Sequence, residues 1–166
     1  MPLVDIILIA IVGLFVLFGL FFGLVHTLGS LIGTILGIVV TTRLIDPAFE
    51  KLGFLFGDGG LGKVILFIII FLLISRLIGL LFWVIERVLG VFAMIPFASS
   101  INRLLGGVFG FVEGVLVVGV VLFFALQYLP DTAVKAALES SSVGDYLLAT
   151  MAAIQVLFPE SVRLVK

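Results

Sequence analysis

The sequence predicts an all-α protein: a polytopic membrane helix bundle with about four transmembrane helices and a short amphipathic helical C-terminal tail. Three observations lead there. The 166 residues are 63% apolar and 11% charged, where ordinary soluble domains hold about 45–50% and about 25%, and the mean hydropathy is +1.49. The few charges are gathered between long apolar runs. Inside two of those runs glycine recurs at every fourth position.

The elements follow in order. Before Arg43 only Asp5 and His26 interrupt the apolar run. Residues 6–42 far exceed the about 20 that one helical crossing needs. They predict two helices, at about 5–24 and 27–45, with a tight turn near residues 23–27, where Gly, His and Thr cluster. Residues 64–85 hold a single charge, Arg76, and predict a third helix over 63–85. Residues 104–129 hold only Glu113 and predict a fourth over 102–129, with Ser99 and Ser100 as N-cap candidates. Residues 77–95 have a second option, a helix along the membrane surface, because Trp83, Glu86 and Arg87 suit an interface. The N-terminus has no basic region and no small-residue cleavage site, so the first span is expected to stay as an uncleaved anchor.

Pro130 divides the chain into a transmembrane bundle, 1–130, and an amphipathic interfacial tail, 131–166. Residues 131–139 read as a short amphipathic helix, apolar at 133, 134, 137 and 138. Ser140, Ser141 and Ser142 interrupt it and offer an N-cap to the next piece. Residues 146–158 are apolar but short for a span, and are expected to form an interfacial or re-entrant helix docked on the bundle.

Composition removes several function classes. The net charge of −1 gives no attraction for nucleic acid. Gly57-Asp58-Gly59-Gly60-Leu61-Gly62-Lys63-Val64 approaches a phosphate-binding loop, but Val64 stands where a hydroxyl would hold magnesium and a membrane helix follows. It reads as a flexible turn with Lys63 at the headgroups, so no nucleotide is expected. The chain has no cysteine and one histidine, which removes disulfides, thiolate chemistry and multi-histidine metal sites. No Ser-His-Asp set or carboxylate dyad can be assembled. No enzyme activity, cofactor or metal is expected. His26 is read as a local hydrogen-bonding residue, Asp5 as a partner of the helix dipole, and the phenylalanines as lipid-facing filler.

The candidate functional residues are glycines and isolated charges. Gly29, Gly33 and Gly37 share one helix face, and so do Gly106, Gly110 and Gly114, because steps of four drift only about 40° at 3.6 residues per turn. Small residues let helix backbones approach closely in lipid, so both series are expected at helix contacts, within the chain or in a homo-oligomer. Asn102, Arg103 and Glu113 fall on the face of the second series. Arg76 precedes Arg87 by about as many residues as Glu113 follows Arg103, roughly 15 Å at 1.5 Å per residue. Antiparallel neighbours would bring the two to one depth. A lone charge there costs several kcal/mol, roughly, so an intramembrane Arg76–Glu113 pair is expected. It would be either a structural ion pair or part of a gate or proton-coupled site; if Arg76 snorkels to an interface, the pair does not exist.

The run Asn102-Arg103-Leu104-Leu105-Gly106-Gly107-Val108-Phe109-Gly110-Phe111-Val112-Glu113-Gly114 after Pro96, with Val4-Asp5-Ile6-Ile7 at the start and Gly23 and Gly29 after the first span, resembles the colicin V production protein family (CvpA). A Ser-rich, weakly apolar tail after Pro130 is similar too. Two departures stand out. Members often carry basic residues beside the glycine after the first span, where Phe21-Phe22-Gly23-Leu24 has none, and a base where Glu113 stands. The resemblance implies a multi-pass protein of the bacterial inner membrane, linked to toxin (bacteriocin) production or export and envelope physiology. Its motif residues here are Asn102, Arg103, Gly106, Gly110 and Gly114. Similar proteins that continue into a protease domain on the secreted side imply a C-terminus outside the cytoplasm, and the lack of any base before Arg43 agrees with an outside N-terminus. Two readings remain open: a helper or scaffold subunit working with export or envelope proteins in the bilayer, and a small oligomeric channel or transporter built on the charge pair.

Overall fold

The computed structural model describes residues 3–57, 59–89 and 99–154. These fold into α1 (Leu3–Phe22), α2 (Leu24–Phe56), α3 (Gly60–Leu89), α4 (Ser99–Tyr128), α5 (Ala133–Glu139) and α6 (Ser142–Ile154), with no strand among them. The first four are long and apolar enough to cross a membrane. The part of the surface-helix option at residues 90–95, Pro96, and the apolar stretch beyond residue 154 lie outside the described residues; within them α3 continues unbroken to Leu89.

The chain alternates between two ends. Gly23 and Leu24 meet Asn102 at one end, and Gly60 lies against the Tyr128 carbonyl at the other. So α1 and α3 run toward the Asn102 end, while α2 and α4 run away from it. Packing pairs α1 with α4 and α2 with α3, and α2 also lies on α4. Of the four candidate spans α4 is the most buried.

The turn between α1 and α2 is a single residue. Gly23 has φ 82 and ψ 176, a region open in practice only to glycine. Its N–H still donates to the Gly19 carbonyl at 2.8 Å, and its carbonyl accepts from the Thr27 hydroxyl at 2.8 Å. The second helix is much longer than expected from the position of Arg43. It passes through Pro47 to Phe56, about 50 Å at 1.5 Å per residue, against a hydrocarbon core of about 30 Å. Its last turns, with Asp46, Glu50 and Lys51, therefore extend past the apolar layer.

The largest core cluster joins Leu31, Ile38 and Ile45 of α2, Leu66, Phe67 and Phe71 of α3, Leu116, Val120, Phe123 and Phe124 of α4, and Met151 of α6. Phe67 stacks on Phe124 with ring centroids 3.7 Å apart. These four phenylalanines are buried, not lipid-facing filler: helices around a central helix need large side chains to fill the space between them at interior density. A second cluster holds Leu8 and Val12 of α1, Val118 and Leu122 of α4, and Leu147 of α6. Helix α6 thus enters the bundle from the Asp5 end and lies beside α1 and α4.

The tail is fixed at its joints. Thr132 caps α5 by accepting from the Lys135 N–H at 3.3 Å. The exposed Asp131 receives the Lys135 ammonium at 3.0 Å, and that hydrogen bond holds the amine above its ordinary range. Ser141 caps α6 by accepting from the Gly144 N–H at 2.9 Å.

An even number of crossings places both mapped ends on one side. The sequence contains no cysteine, so Leu3→Cys, Ala136→Cys and Arg103→Cys each add a single reporter. In intact cells an impermeant thiol reagent should label the first two, and should label Arg103→Cys only after the membrane is opened. Labelling of Leu3→Cys or Ala136→Cys alone would contradict the four-span path, and the opposite pattern at all three would reverse the orientation.

Candidate functional site

The site begins with how closely α4 meets α1. A methyl group on Gly106 would strike the Gly19 carbonyl and the Gly23 backbone, and one on Gly110 would strike the Phe15 carbonyl. On Gly114 it would lie 3.0 Å from the Phe15 Cβ and 3.3 Å from the Val12 Cα. Gly19 answers from the other side, with no room for a methyl against the Gly106 carbonyl. The two backbones are in contact along this seam. On α2, Gly33 and Gly37 face α3: a Cβ on Gly33 would come within 3.1 Å of the Ser75 carbonyl, and one on Gly37 would strike the Ser75 hydroxyl. Gly29 is looser, 3.6 Å from the Phe82 Cβ.

The seam carries polar residues to defined places. Asn102 stands beside the break at Gly23, where its Oδ1 accepts from the Leu24 N–H at 3.1 Å. It satisfies one of the donors left open at the start of α2. Arg103, its neighbour, is exposed. Farther along α4, Glu113 is 7% exposed. Its Oε1 accepts from the Ser30 hydroxyl at 2.5 Å and from the Thr34 hydroxyl at 3.2 Å. Counted from Asn102, Glu113 is about 16 Å deep at 1.5 Å per residue, near the middle of α4.

Arg76 is not the direct partner of Glu113. The ion pairs among the described residues are Lys63–Asp46 and Lys135–Asp131. The contacts of Gly33 and Gly37 with Ser75 set Arg76 at the level of Thr34, and therefore of Glu113. Depth alone, however, does not bring side chains together. Ser75 faces α2, and Arg76 follows it about 100° round the helix. Its side chain is exposed on the outer face of α3, within electrostatic range of Glu113 along with His26. Around Arg76 that face is apolar and open, with Leu72 50%, Leu73 59%, Leu77 56% and Leu80 57% exposed.

Several polar contacts had no sequence reading. Ser30 and Thr34 continue the face of α2 that starts at His26, at helical spacing of four, and that spacing was the available signal. Thr41, fully buried, has a hydroxyl with no hydrogen-bond partner, as does Ser75. At the other end Lys63 bonds Asp46 at 2.7 Å and lies 4.2 Å above the Tyr128 ring. That joins α2, α3 and α4, a structural place for Lys63 in addition to its position near the headgroups. The loop before it follows a helix, not a strand. Asp5 is 2% exposed and does more than meet its own helix dipole. It accepts from the Ser141 hydroxyl at 2.5 Å and from the Val143 N–H at 3.4 Å, fastening α6 to α1. Among the described residues no group of His, Cys, Asp or Glu is arranged to hold a metal ion.

This arrangement can hold a carboxyl group in the interior, keep helices at backbone contact, and present an intramembrane guanidinium on an outer face. A family model described as Colicin V production protein matches residues 4–152, and the chain belongs to that family. No curated protein and no solved structure matches it.

Proposed function

We propose that this member of the colicin V production protein family is a helper or scaffold subunit of the bacterial inner membrane, working with other membrane proteins in toxin production or export and in envelope physiology. The observation that supports the reading is Arg76. An exposed guanidinium at mid-helix depth, among leucines, is costly in lipid, by roughly 2.5–3.5 kcal/mol or more, unless an acid or a polar cavity meets it. The acid at its own level, Glu113, is engaged by Ser30 and Thr34. A partner that brings its own acid into the membrane removes the cost. The outer face of α3 is then the docking face, and the glycine-seamed bundle behind it is the rigid support.

The channel or transporter reading rests on the carboxyl–hydroxyl cluster at Glu113. Against passage through a single copy stand Phe67, Phe71, Phe123 and Phe124, which fill the space between α3 and α4 below that cluster.

The test is complementation. In a strain that exports a colicin V-type toxin, deleting this gene should lower the secreted toxin, and the wild-type gene should restore it. Secretion unchanged by the deletion would overturn the helper reading. Steady unitary currents from the purified protein in planar bilayers would replace it with the channel.

A further inference from the structure

We propose that Glu113, Ser30 and Thr34 form a proton-binding site inside the bundle, filled from the Asn102 end of the membrane along the face of α2 that carries His26. The inference goes beyond the helper reading and does not depend on it.

The geometry sets the chemistry. Glu113 is almost wholly buried and lies near the middle of a spanning helix. Both hydroxyl donors go to Oε1, which leaves Oε2 to carry a proton. Opposing influences meet on this carboxyl. Burial at lipid depth favours the neutral acid. The two hydroxyl donors favour the carboxylate, and so do the more distant positive charges of Arg76, on the outer face of α3, and of His26 on α2 when protonated. The acids of the other packed elements, Asp5 of α1 and Asp145 of α6, belong to the opposite end of the bundle. A carboxyl placed between such influences binds a proton and releases it again: Oε2 takes the proton from water at the membrane surface, and the same bond breaks on return.

The route is one-sided. His26, Ser30 and Thr34 stand at successive helical turns on one face of α2, and His26 is exposed at the Asn102 end. Beyond Thr34 the interior passes to Ile38, Phe71, Phe67 and Phe124, which are buried and apolar. A proton arriving from the far end would have to cross that apolar layer, where the buried Thr41 and Ser75 hydroxyls have no hydrogen-bond partner and form no chain to Glu113.

The full-length protein in lipid vesicles, followed by infrared spectroscopy in the carboxyl C=O region, tests this. At neutral pH the wild type should show a buried protonated-carboxyl band that Glu113→Gln removes and Asp5→Asn leaves. Ser30→Ala should move the band to higher frequency, because its carbonyl oxygen loses a hydrogen bond. This variant decides the matter even if Glu113→Gln fails to fold. Exchange into deuterium oxide should shift the band, and His26→Ala should slow that shift several-fold. A spectrum without such a band at neutral pH, or a band that Ser30→Ala does not move, would overturn the site. An exchange rate unchanged in His26→Ala would overturn the route.

Discussion

Gly110→Leu is expected to destabilise the protein strongly by forcing α1 and α4 apart. The Gly110 Cα sits where even a methyl would strike the Phe15 carbonyl. Backbone cannot rotate aside as a side chain can, so α1 and α4 must separate. The loss reaches the hydrogen bond from Leu24 to Asn102 and the contacts of Leu8 and Val12 with α4. Overpacking in a dense core costs about 1–3 kcal/mol and occasionally more; a branched side chain set against backbone belongs at the upper end. Thermal unfolding in detergent reads this directly. Gly13→Ala is the matched control on the partner helix, since nothing lies within 4 Å of a Cβ built there. It should melt like the wild type or slightly higher, because alanine favours a helix over glycine by about 1 kcal/mol. If Gly110→Leu melts with Gly13→Ala, α1 and α4 do not meet along the glycines.

Arg76→Leu should have the opposite character: nearly complete loss of function with no loss of fold. The side chain is exposed and makes no ion pair among the described residues. Its removal leaves no buried group unpaired, and it takes away a charge that is expensive in lipid. Abundance in the membrane and melting temperature should equal or exceed those of the wild type. Toxin secretion should nevertheless stay at the level of the deletion strain, because the α3 face would no longer offer a charge to its partner. Arg76→Lys should recover part of the secretion, since a positive charge remains but the planar, bidentate fork is lost. Full secretion from Arg76→Leu would mean that the face plays no part in docking.

The span count was legible because charge is so costly in lipid that it marks the borders of each crossing. Helix ends were not, because a helix does not stop where the apolar layer stops. Arg43 marks the edge of the hydropathy, while α2 goes on through Pro47 to Phe56. Glu113 stood out as an isolated acid, and its depth relative to Arg76 could be counted from the sequence. Its partners could not be, because counting residues gives height along a helix axis but not the direction a side chain takes around a neighbour. Ser30 and Thr34 were hidden for a further reason. Hydroxyls in a helix often bond their own backbone, as Thr42 does to the Val39 carbonyl at 3.0 Å, so beyond their spacing of four from His26 they carry no signal of a tertiary partner. The bond from Ser141 to Asp5 spans 136 positions, and no local periodicity reports on such a contact. The buried phenylalanines were unreadable because Phe suits lipid and protein interior alike.

If Arg76 is offered to an acidic partner within the membrane, as proposed, resonance energy transfer in lipid vesicles measures that offer. The donor-labelled full-length protein is mixed with one of two acceptor-labelled, leucine-rich transmembrane peptides, identical except for a glutamate or a leucine at the centre. Transfer should be strong with the glutamate peptide, near background with the leucine peptide, and near background with both once Arg76 is replaced by leucine. Equal transfer to the two peptides, or transfer to the glutamate peptide that survives Arg76→Leu, would contradict the account.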